Sequence, residues 1–125
     1  MKVKCIKLLN WRGQEVEIHP RLTLGSVYHV LSIFIDENGR CNYGIVTPHS
    51  KEIWPSILSF SEDCFEVVSD VVPSNWRTVT YDNNAKDISP AAWQEPGFYD
   101  GFSECDPAMY PVFERERDII LSEDP

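Results

Sequence analysis

Aromatic and carboxylate side chains alternate in residues 93–106, and these residue types can build a protein-binding surface. Aromatic rings supply a large contact area at a low entropic cost, and carboxylates complement lysine and arginine. Because Pro96 and Gly97 break regular structure here, we predict a surface loop. Its rings are expected to hold the loop on the rest of the fold, while its acids face a basic partner. The predicted contact residues are Trp93, Glu95, Phe98, Tyr99, Asp100, Glu104 and Asp106.

Patterns typical of catalytic and metal sites are not found in the sequence. The three histidines lie far apart, and the four cysteines include no Cys-x-x-Cys pair. Asp100, Glu104 and Asp106 lack the alternating ligands and the mid-loop glycine of a calcium-binding hand. We therefore expect no enzyme, no cofactor and no metal ion. The alternatives are a Cys–His or Ser–His pair brought together by folding, and two carboxylates paired in a cleft.

The first residues carry lysines where an export signal needs an apolar core. Lys4 and Lys7 interrupt the apolar run, and no small-residue cleavage site follows. No segment approaches the roughly 20 apolar residues that cross a bilayer. The sequence therefore predicts a cytoplasmic protein without membrane contact, and its cysteines are expected to be reduced. They are Cys5, Cys41, Cys64 and Cys105.

The negative charge is concentrated in the last third of the chain. The sequence has 11 basic and 20 acidic residues, for a net charge of -9, and residues 82–125 hold 11 of the acids but only 3 of the bases. A field of this sign repels a phosphate backbone, so we expect no direct contact with nucleic acid. A partner with a basic surface is the natural complement. The alternative is that the acids serve solubility alone.

Apolar alternation and turn residues predict a mainly β fold in a chain of 125 residues, the usual length of one domain. Leu24–Ile35 is the clearest strand, and its two apolar faces predict cover on both sides. Asn38 and Gly39 predict a tight hairpin turn, because both residues tolerate positive φ. Pro55–Leu58 is predicted to form a single helical turn. The other predicted strands are Val3–Leu8, Gln14–Ile18, Arg40–Thr47, Glu52–Trp54, Phe65–Val72 and Trp76–Tyr81.

These strands predict a small antiparallel barrel over residues 1–81, with an acidic extension over residues 82–125 that packs on it. Residues 82–87 are polar and have turn chemistry, so they mark the junction. Short helices are predicted near residues 90–94 and over residues 111–121, with a loop between them. The barrel and the extension together are expected to form one domain.

Strand lengths and a few anchor residues in five segments are similar to those of a known group of proteins. The segments are Leu24-Gly25-Ser26-Val27-Tyr28-His29-Val30, the Asn38-Gly39 hairpin, Phe65-Glu66-Val67-Val68-Ser69-Asp70, Val72-Pro73-Ser74-Asn75-Trp76 and Trp93-Gln94-Glu95-Pro96-Gly97-Phe98-Tyr99. In this pattern the chain resembles bacterial immunity proteins of polymorphic-toxin and contact-dependent growth-inhibition systems, many of which contain a barrel resembling the Src-homology-three fold. The resemblance implies binding and neutralisation of a cognate toxin, frequently a nuclease, without catalytic residues. The negative charge of the chain favours a basic nuclease, and we expect the contact to be with the C-terminal domain of the toxin. We expect a monomer when the chain is free.

Two other functions fit the sequence. A barrel-type adaptor would bind a short peptide weakly through exposed aromatic residues, whereas an immunity protein would bind one folded domain far more tightly. A small hydrolase would use acidic residues as its catalytic groups. Gene order separates these functions, because an immunity gene is expected directly downstream of a large toxin gene.

Overall fold

Short strands separated by turns form two antiparallel sheets in the computed structural model, which describes residues 1–46 and 57–125. The strands are β1 Lys2–Cys5, β2 Val27–His29, β3 Ser32–Ile35, β4 Cys41–Ile45, β5 Leu58–Ser61, β6 Phe65–Ser69, β7 Trp76–Thr80 and β8 Lys86–Pro90. The helices are α1 Phe98–Ser103 and α2 Tyr110–Glu123, with 3-10 turns at Glu62–Cys64 and Ala91–Gln94. The strand orders are β2-β1-β6 and β5-β4-β3-β8-β7. The mainly β prediction is confirmed, but among the described residues no closed barrel is found.

The chain changes sheet within Leu24–Ile35, the segment predicted as one strand. β2 and β3 share this segment and belong to different sheets. Between them the Val30 amide donates to Met1 O at 3.0 Å, and the Leu31 amide donates to Gly44 O at 2.9 Å. The prediction of a single strand was wrong. Because Val30 and Leu31 are buried in different apolar clusters, the two apolar faces reflect two cores rather than one covered strand.

β1 is shorter than the predicted strand Val3–Leu8, because its regular pairing ends at Cys5. The next two amides, those of Ile6 and Lys7, both donate to Cys64 O, at 2.9 and 3.3 Å. Two donors that share one carbonyl cannot continue a strand ladder. Beyond Cys5, Leu8 is buried but Ile6 is 54% exposed, so the apolar residues there do not continue the strand.

No strand forms at Gln14–Ile18. Glu15 makes one isolated bridge with Leu9, and Ile18 is 85% exposed, so the alternation there does not mark a buried face. β4, β6 and β7 confirm the strands predicted in the same places, and each begins or ends within a few residues of its predicted limits.

β5 begins at Leu58, so the helical turn predicted for residues 55–58 is wrong at its last residue. The strand was missed because its pairing partner, β4, is what defines it. Residues 55 and 56, and the strand predicted for residues 52–54, lie outside the described residues.

β3 and β4 form the predicted hairpin around Asn38 and Gly39. Gly39 has a φ of 83°, and its amide donates to Asp36 O at 3.0 Å. The Asp36 carboxylate accepts from the amides of Asn38 and Arg40, each at 2.9 Å. Asn38 is not in the left-handed region, so the prediction of positive φ is wrong for this residue. The Asp36 side chain closes the turn, so that within it only Gly39 has a positive φ.

Replacing Gly39 by valine is expected to lower the free energy of unfolding by about 1 kcal/mol or more, because a β-branched residue is strained at positive φ. Asn38→Ala is the matched control in the same turn, and its effect is expected to stay below about 0.5 kcal/mol. Urea unfolding of the two variants measures the difference. Equal losses from both would contradict this description of the turn.

The segment predicted as the junction leads into a strand of the larger sheet. Residues 86–90 form β8, which lies between β3 and β7. Asn84, with a φ of 70°, makes the tight turn from β7, and Ala85 after it is 4% exposed. The polar residues of this segment predicted a turn correctly but hid the strand that follows. Part of the extension therefore lies inside the sheet of the first 81 residues.

Helical structure forms in two of the expected places and in two unexpected ones, which are α1 and the 3-10 turn at Glu62–Cys64. The helix predicted near residues 90–94 is confirmed as the 3-10 turn, and α2 confirms the helix of residues 111–121 with longer ends. α1 forms where a loop was predicted, because Phe98 and Phe102 lie one helical turn apart and are both buried. In the described ranges, no helix is long and apolar enough to cross a membrane.

Two apolar clusters hold these elements together. The first lies between the two sheets and includes Val3, Tyr28, Tyr43 and Phe65. The second joins α1 and α2 to the larger sheet and includes Leu31, Trp93, Phe98, Phe102 and Phe113. In the second cluster the Trp93 ring stacks on both Phe98 and Phe113, with centroid distances of 5.8 and 5.5 Å. The two clusters therefore determine which face of each sheet is buried.

Candidate functional site

One face of the larger sheet points away from the core between the sheets. Directly opposed residues of antiparallel strands share a face, and Phe34 opposes both Asn42 in β4 and Asp87 in β8. Ser61 and Val79 extend this row to the two edge strands. Phe34, on the central strand, is 42% exposed. This outer face therefore presents an aromatic ring between polar side chains.

Small residues keep the outer face shallow beside Phe34. Ser32, Gly44 and Ser59 lie in the neighbouring row and line one cleft. A Cβ added to Gly44 would collide with the Ser32 hydroxyl and press on Ile57. Glycine is therefore needed at this position for the two strands to keep their side chains where they are.

α1 places Tyr99 at this face. Gly97, with a φ of 85°, precedes the helix, and Phe98 and Phe102 turn into the aromatic cluster. Tyr99 follows Phe98 and packs edge-on against its ring at a centroid distance of 5.3 Å, with 40% of the tyrosine surface exposed. The helix that anchors two phenylalanines in the core thus fixes the position of the tyrosine beside them.

Two clefts meet at Asp87 and Tyr99. The acidic cleft, of about 220 Å³, has Tyr81, Asp87, Glu95, Tyr99 and Asp100 in its lining. The sheet cleft, of about 300 Å³, has Ser32, Phe34, Asn42 and Ser59 in its lining, with Asp87 and Tyr99 as shared walls. Three carboxylates and two phenol rings therefore surround one small opening.

Asp87 carries negative charge in a partly buried position. Burial raises the pKa of Asp87, and a hydrogen bond with the Ser89 side chain opposes this effect. In the described part of the chain, no lysine or arginine forms an ion pair with Asp87. A positive group placed in the acidic cleft would favour the charged carboxylate. The electrostatics of the cleft therefore favour a cation.

Tyr99 is held as a neutral phenol. Burial, followed by the charge of Asp87, raises the pKa of Tyr99 to about 12, while a hydrogen bond with Ser89 opposes the shift. Although the tyrosine is 40% exposed, its hydroxyl end lies beside Ser89, which is 0% exposed. Gln94 Nε2 donates to Ser89 Oγ at 3.1 Å and to Arg77 O at 2.6 Å. This network fixes the phenol as a hydrogen-bonding group and an aromatic surface.

The structure brings several predicted contact residues to the acidic cleft. They are Trp93, Glu95, Tyr99 and Asp100. Trp93 and Phe98 are 0% and 3% exposed, so both rings belong to the aromatic cluster. Rings buried to this extent leave almost no surface for a partner, so the prediction that Trp93 and Phe98 contact one directly is not supported, and their role in holding the acidic segment stays a prediction.

Glu104 and Asp106 lie outside both clefts, although both are exposed. The Asp106 carboxylate accepts from the Ala108 amide at 2.9 Å, in the turn that leads to α2. The acids of residues 93–106 therefore do not form one cluster: Glu95 and Asp100 line the cleft, and the other two lie beyond α1.

The sequence analysis missed the aromatic and acidic residues of the site that lie outside residues 93–106, namely Phe34, Tyr81 and Asp87. The signal for Phe34 was the alternation in β3, where Ser32 and Phe34 share the outer face. No local signal marked Asp87, because its polar neighbours are typical of a turn. Only its pairing with β3 places it opposite Phe34.

The histidines have structural partners where they are described. His19 Nδ1 accepts from the amides of Arg21 and Leu22, at 3.0 and 3.3 Å. His29 Nε2 lies 2.6 Å from Asp124 O, and His49 lies outside the described residues. The four cysteines are free, and within residues 1–46 and 57–125 no group of three or more potential ligands could hold a metal ion. None of these described histidines and cysteines lines the acidic cleft or the sheet cleft.

The chain was compared with protein-family models, with curated proteins and with solved structures. None of the three comparisons finds a match.

Proposed function

We propose that the chain is an immunity protein that binds and neutralises the C-terminal domain of a cognate toxin, a basic nuclease, in the cytoplasm. The observation that carries this proposal is the acidic cleft, in which Asp87, Glu95 and Asp100 lie around two phenol rings. The resemblance of the sequence to bacterial immunity proteins agrees with it. The small barrel and the monomeric free state that we expect from the sequence are also part of the proposal.

The charge of the chain supports a basic partner. A nuclease binds phosphate, so its substrate cleft is positively charged. Residues 82–125 carry 11 acidic and 3 basic side chains and can present a similar polyanion to that cleft. Opposite fields also speed the encounter of two proteins, to about 10⁸–10⁹ M⁻¹s⁻¹ at low salt. Fast capture is what an antidote requires.

The chemistry of the acidic cleft supports a lysine or arginine side chain as its occupant. Carboxylates form their strongest hydrogen bonds with such cations. Tyr81 and Tyr99, which are 48% and 40% exposed, can add cation–π contacts. Of the three carboxylates, Asp87 is expected to be stabilised most by a bound cation, because its charge is already partly removed from water. The cleft therefore has the composition of a pocket for a basic side chain on the toxin.

Replacing Glu95 by glutamine and Asp100 by asparagine together is expected to slow association with the toxin domain and to flatten its salt dependence, because rim carboxylates steer the encounter. Glu66→Gln with Asp70→Asn is the control, since it removes the same charge from exposed positions at the smaller sheet. Stopped-flow or biolayer measurements at two salt concentrations give the rates.

Two outcomes would count against this proposal. If the cleft variant and the control bind like the parent chain, the acids are only a solvated face. If the control slows association as much as the cleft variant, net charge acts without a specific site. A third variant, Glu104→Gln with Asp106→Asn, shows whether the acids beyond α1 take part.

Exposed aromatic residues favour a second candidate, a peptide-binding adaptor. Phe34 is 42% exposed in the sheet cleft, and Tyr99 lies next to it. An adaptor would bind short peptides from the toxin domain as well as it binds the folded domain. Binding that is lost when the toxin domain is unfolded would favour the immunity function.

A further inference from the structure

A short hairpin between β1 and β2 carries Trp11 and Arg12 at its tip. The Asn10 side chain closes it, because its Oδ1 accepts from the amides of Arg12 and Gln14 at 2.9 and 3.0 Å. The Asn10 amide donates to Gln14 O at 2.8 Å, and Gly13 takes a φ of 76°. The tip is ordered by its own hydrogen bonds. A partner that binds it therefore pays little additional ordering entropy.

Trp11 is 86% exposed, which is unusual for so large an apolar side chain. The Arg12 guanidinium lies 4.6 Å from the centroid of its ring, in a cation–π contact. Among the residues that the structure describes, Arg12 forms no ion pair. The tip thus presents an aromatic ring and an uncompensated cation, two of the groups that dominate binding energy in protein interfaces.

A third cleft connects the tip with the candidate site. It measures about 470 Å³, and its lining includes Gly13 of the tip, Asn42 of β4 and Glu62. Asn42 also lines the sheet cleft, which shares Asp87 with the acidic cleft. One continuous surface therefore runs from the tip across the outer face of the sheet to the acidic cleft.

The acidic cleft alone is small for a protein interface. Stable interfaces bury about 800 Å² on each partner and involve about 20–30 residues a side. A toxin domain that covers the acidic cleft must therefore contact neighbouring surface as well. Along the continuous surface, the tip is the neighbouring element with the strongest anchoring groups.

We propose that the Trp11–Arg12 tip is a second anchor for the toxin domain, an inference that rests on the proposed function. Trp11 enters an apolar pocket on that domain, and Arg12 pairs with a carboxylate at the rim of the pocket. Because the acidic cleft takes a cation and the tip takes an anion, the two contacts fix a single orientation. Stacking of Trp11 on a nucleic acid is disfavoured by the net charge of -9 and by Glu15 and Glu17 near the tip.

The test is the affinity of the parent chain, Trp11→Ala and Val72→Ala for the C-terminal domain of the toxin whose gene lies directly upstream. Val72 is 70% exposed and lines none of the three clefts, so it controls for loss of an exposed apolar side chain. Trp11→Ala is expected to weaken binding at least 30-fold, since a hot spot contributes about 2 kcal/mol or more and each tenfold is about 1.4 kcal/mol. Val72→Ala is expected to bind like the parent.

A second measurement follows the ring directly. The chain has 4 tryptophans, so 5-fluorotryptophan labelling gives a small set of ¹⁹F resonances, and Trp11→Phe assigns the one from Trp11. Binding is expected to shift this resonance and to remove its solvent isotope effect. If the parent chain binds and Trp11→Ala binds as tightly, the second anchor is wrong. The same holds if Trp11→Ala and Val72→Ala lose affinity equally. Either result leaves the proposed function standing. Failure of the parent chain to bind overturns both.

Discussion

Trp93→Ala is expected to lower the free energy of unfolding by about 3 to 5 kcal/mol, the usual range for removing a buried aromatic side chain. Trp93 is 0% exposed and stacks on Phe98 and Phe113 at centroid distances of 5.8 and 5.5 Å. Its loss would open a cavity between the 3-10 turn and the two helices. Chemical denaturation followed by circular dichroism measures the effect.

Two variants serve as controls for this loss. Trp93→Phe keeps a ring and removes an indole N–H that is buried without a hydrogen-bond partner, so it is expected to be clearly less destabilising. Trp11→Ala removes the same side chain from an exposed position and is expected to change stability by less than about 0.5 kcal/mol. A Trp93→Ala chain as stable as the parent would contradict the core role of this ring.

Asp87→Asn is expected to raise the stability of the free chain at pH 7 and to weaken binding of a basic partner by about 2 to 5 kcal/mol. Asparagine keeps the shape of the side chain and can still bond to Ser89, but it removes the charge that burial disfavours. Opposite effects on stability and binding are typical of a residue that serves function at the expense of stability. Denaturation and calorimetric titration measure the two effects separately.

The gain in stability is expected to disappear in acid. Because the pKa of Asp87 is raised on folding, the folded chain holds a proton at pH values where the unfolded chain has already lost it. The stability of the parent therefore falls as the pH rises through this window. Above the window the full penalty is present, and below the ordinary aspartate pKa of about 3.9 it is absent. The difference between Asp87→Asn and the parent should shrink accordingly between pH 7 and about pH 3.

Asp82→Asn is the control for charge alone, since Asp82 is exposed in the neighbouring turn. It is expected to change neither stability nor binding appreciably. If Asp87→Asn binds as tightly as the parent, Asp87 does not take part in the contact. A chain that is less stable at pH 7 would show that the carboxylate is compensated in the folded state.

Elements that depend on nearby residues could be predicted from the sequence. The hairpin at Gly39 and helix α2 arise from local turn chemistry and from local apolar spacing. β8 could not be predicted, because Lys86–Pro90 contains little apolar pattern and becomes a strand only by pairing with β3 and β7. The division of Leu24–Ile35 into two strands likewise depends on which sheet provides the carbonyl that accepts each backbone N–H.

The residues of the candidate site also divide into those that local sequence predicts and those that only long-range pairing brings together. Glu95, Tyr99 and Asp100 could be found because aromatic and acidic residues alternate in one segment. Phe34 and Asp87 are far apart in the sequence, and they become neighbours only when β3 pairs with β8. The helix α1 forms in place of the predicted loop because Phe98 and Phe102 are buried on the same side of it. The path of α1 determines which acidic side chains reach the cleft.

The position of β8 also has a consequence for the newly synthesised chain. β3 can pair with β4 once both have left the ribosome, but its other edge stays open until residues 86–90 emerge. Such long-range pairing is slow, and an open edge can pair with other chains in the meantime. The strand that closes this edge also carries Asp87. A nascent chain therefore closes its larger sheet before the rest of its acidic cleft, Glu95, Tyr99 and Asp100, has emerged, and a product truncated before β8 has neither.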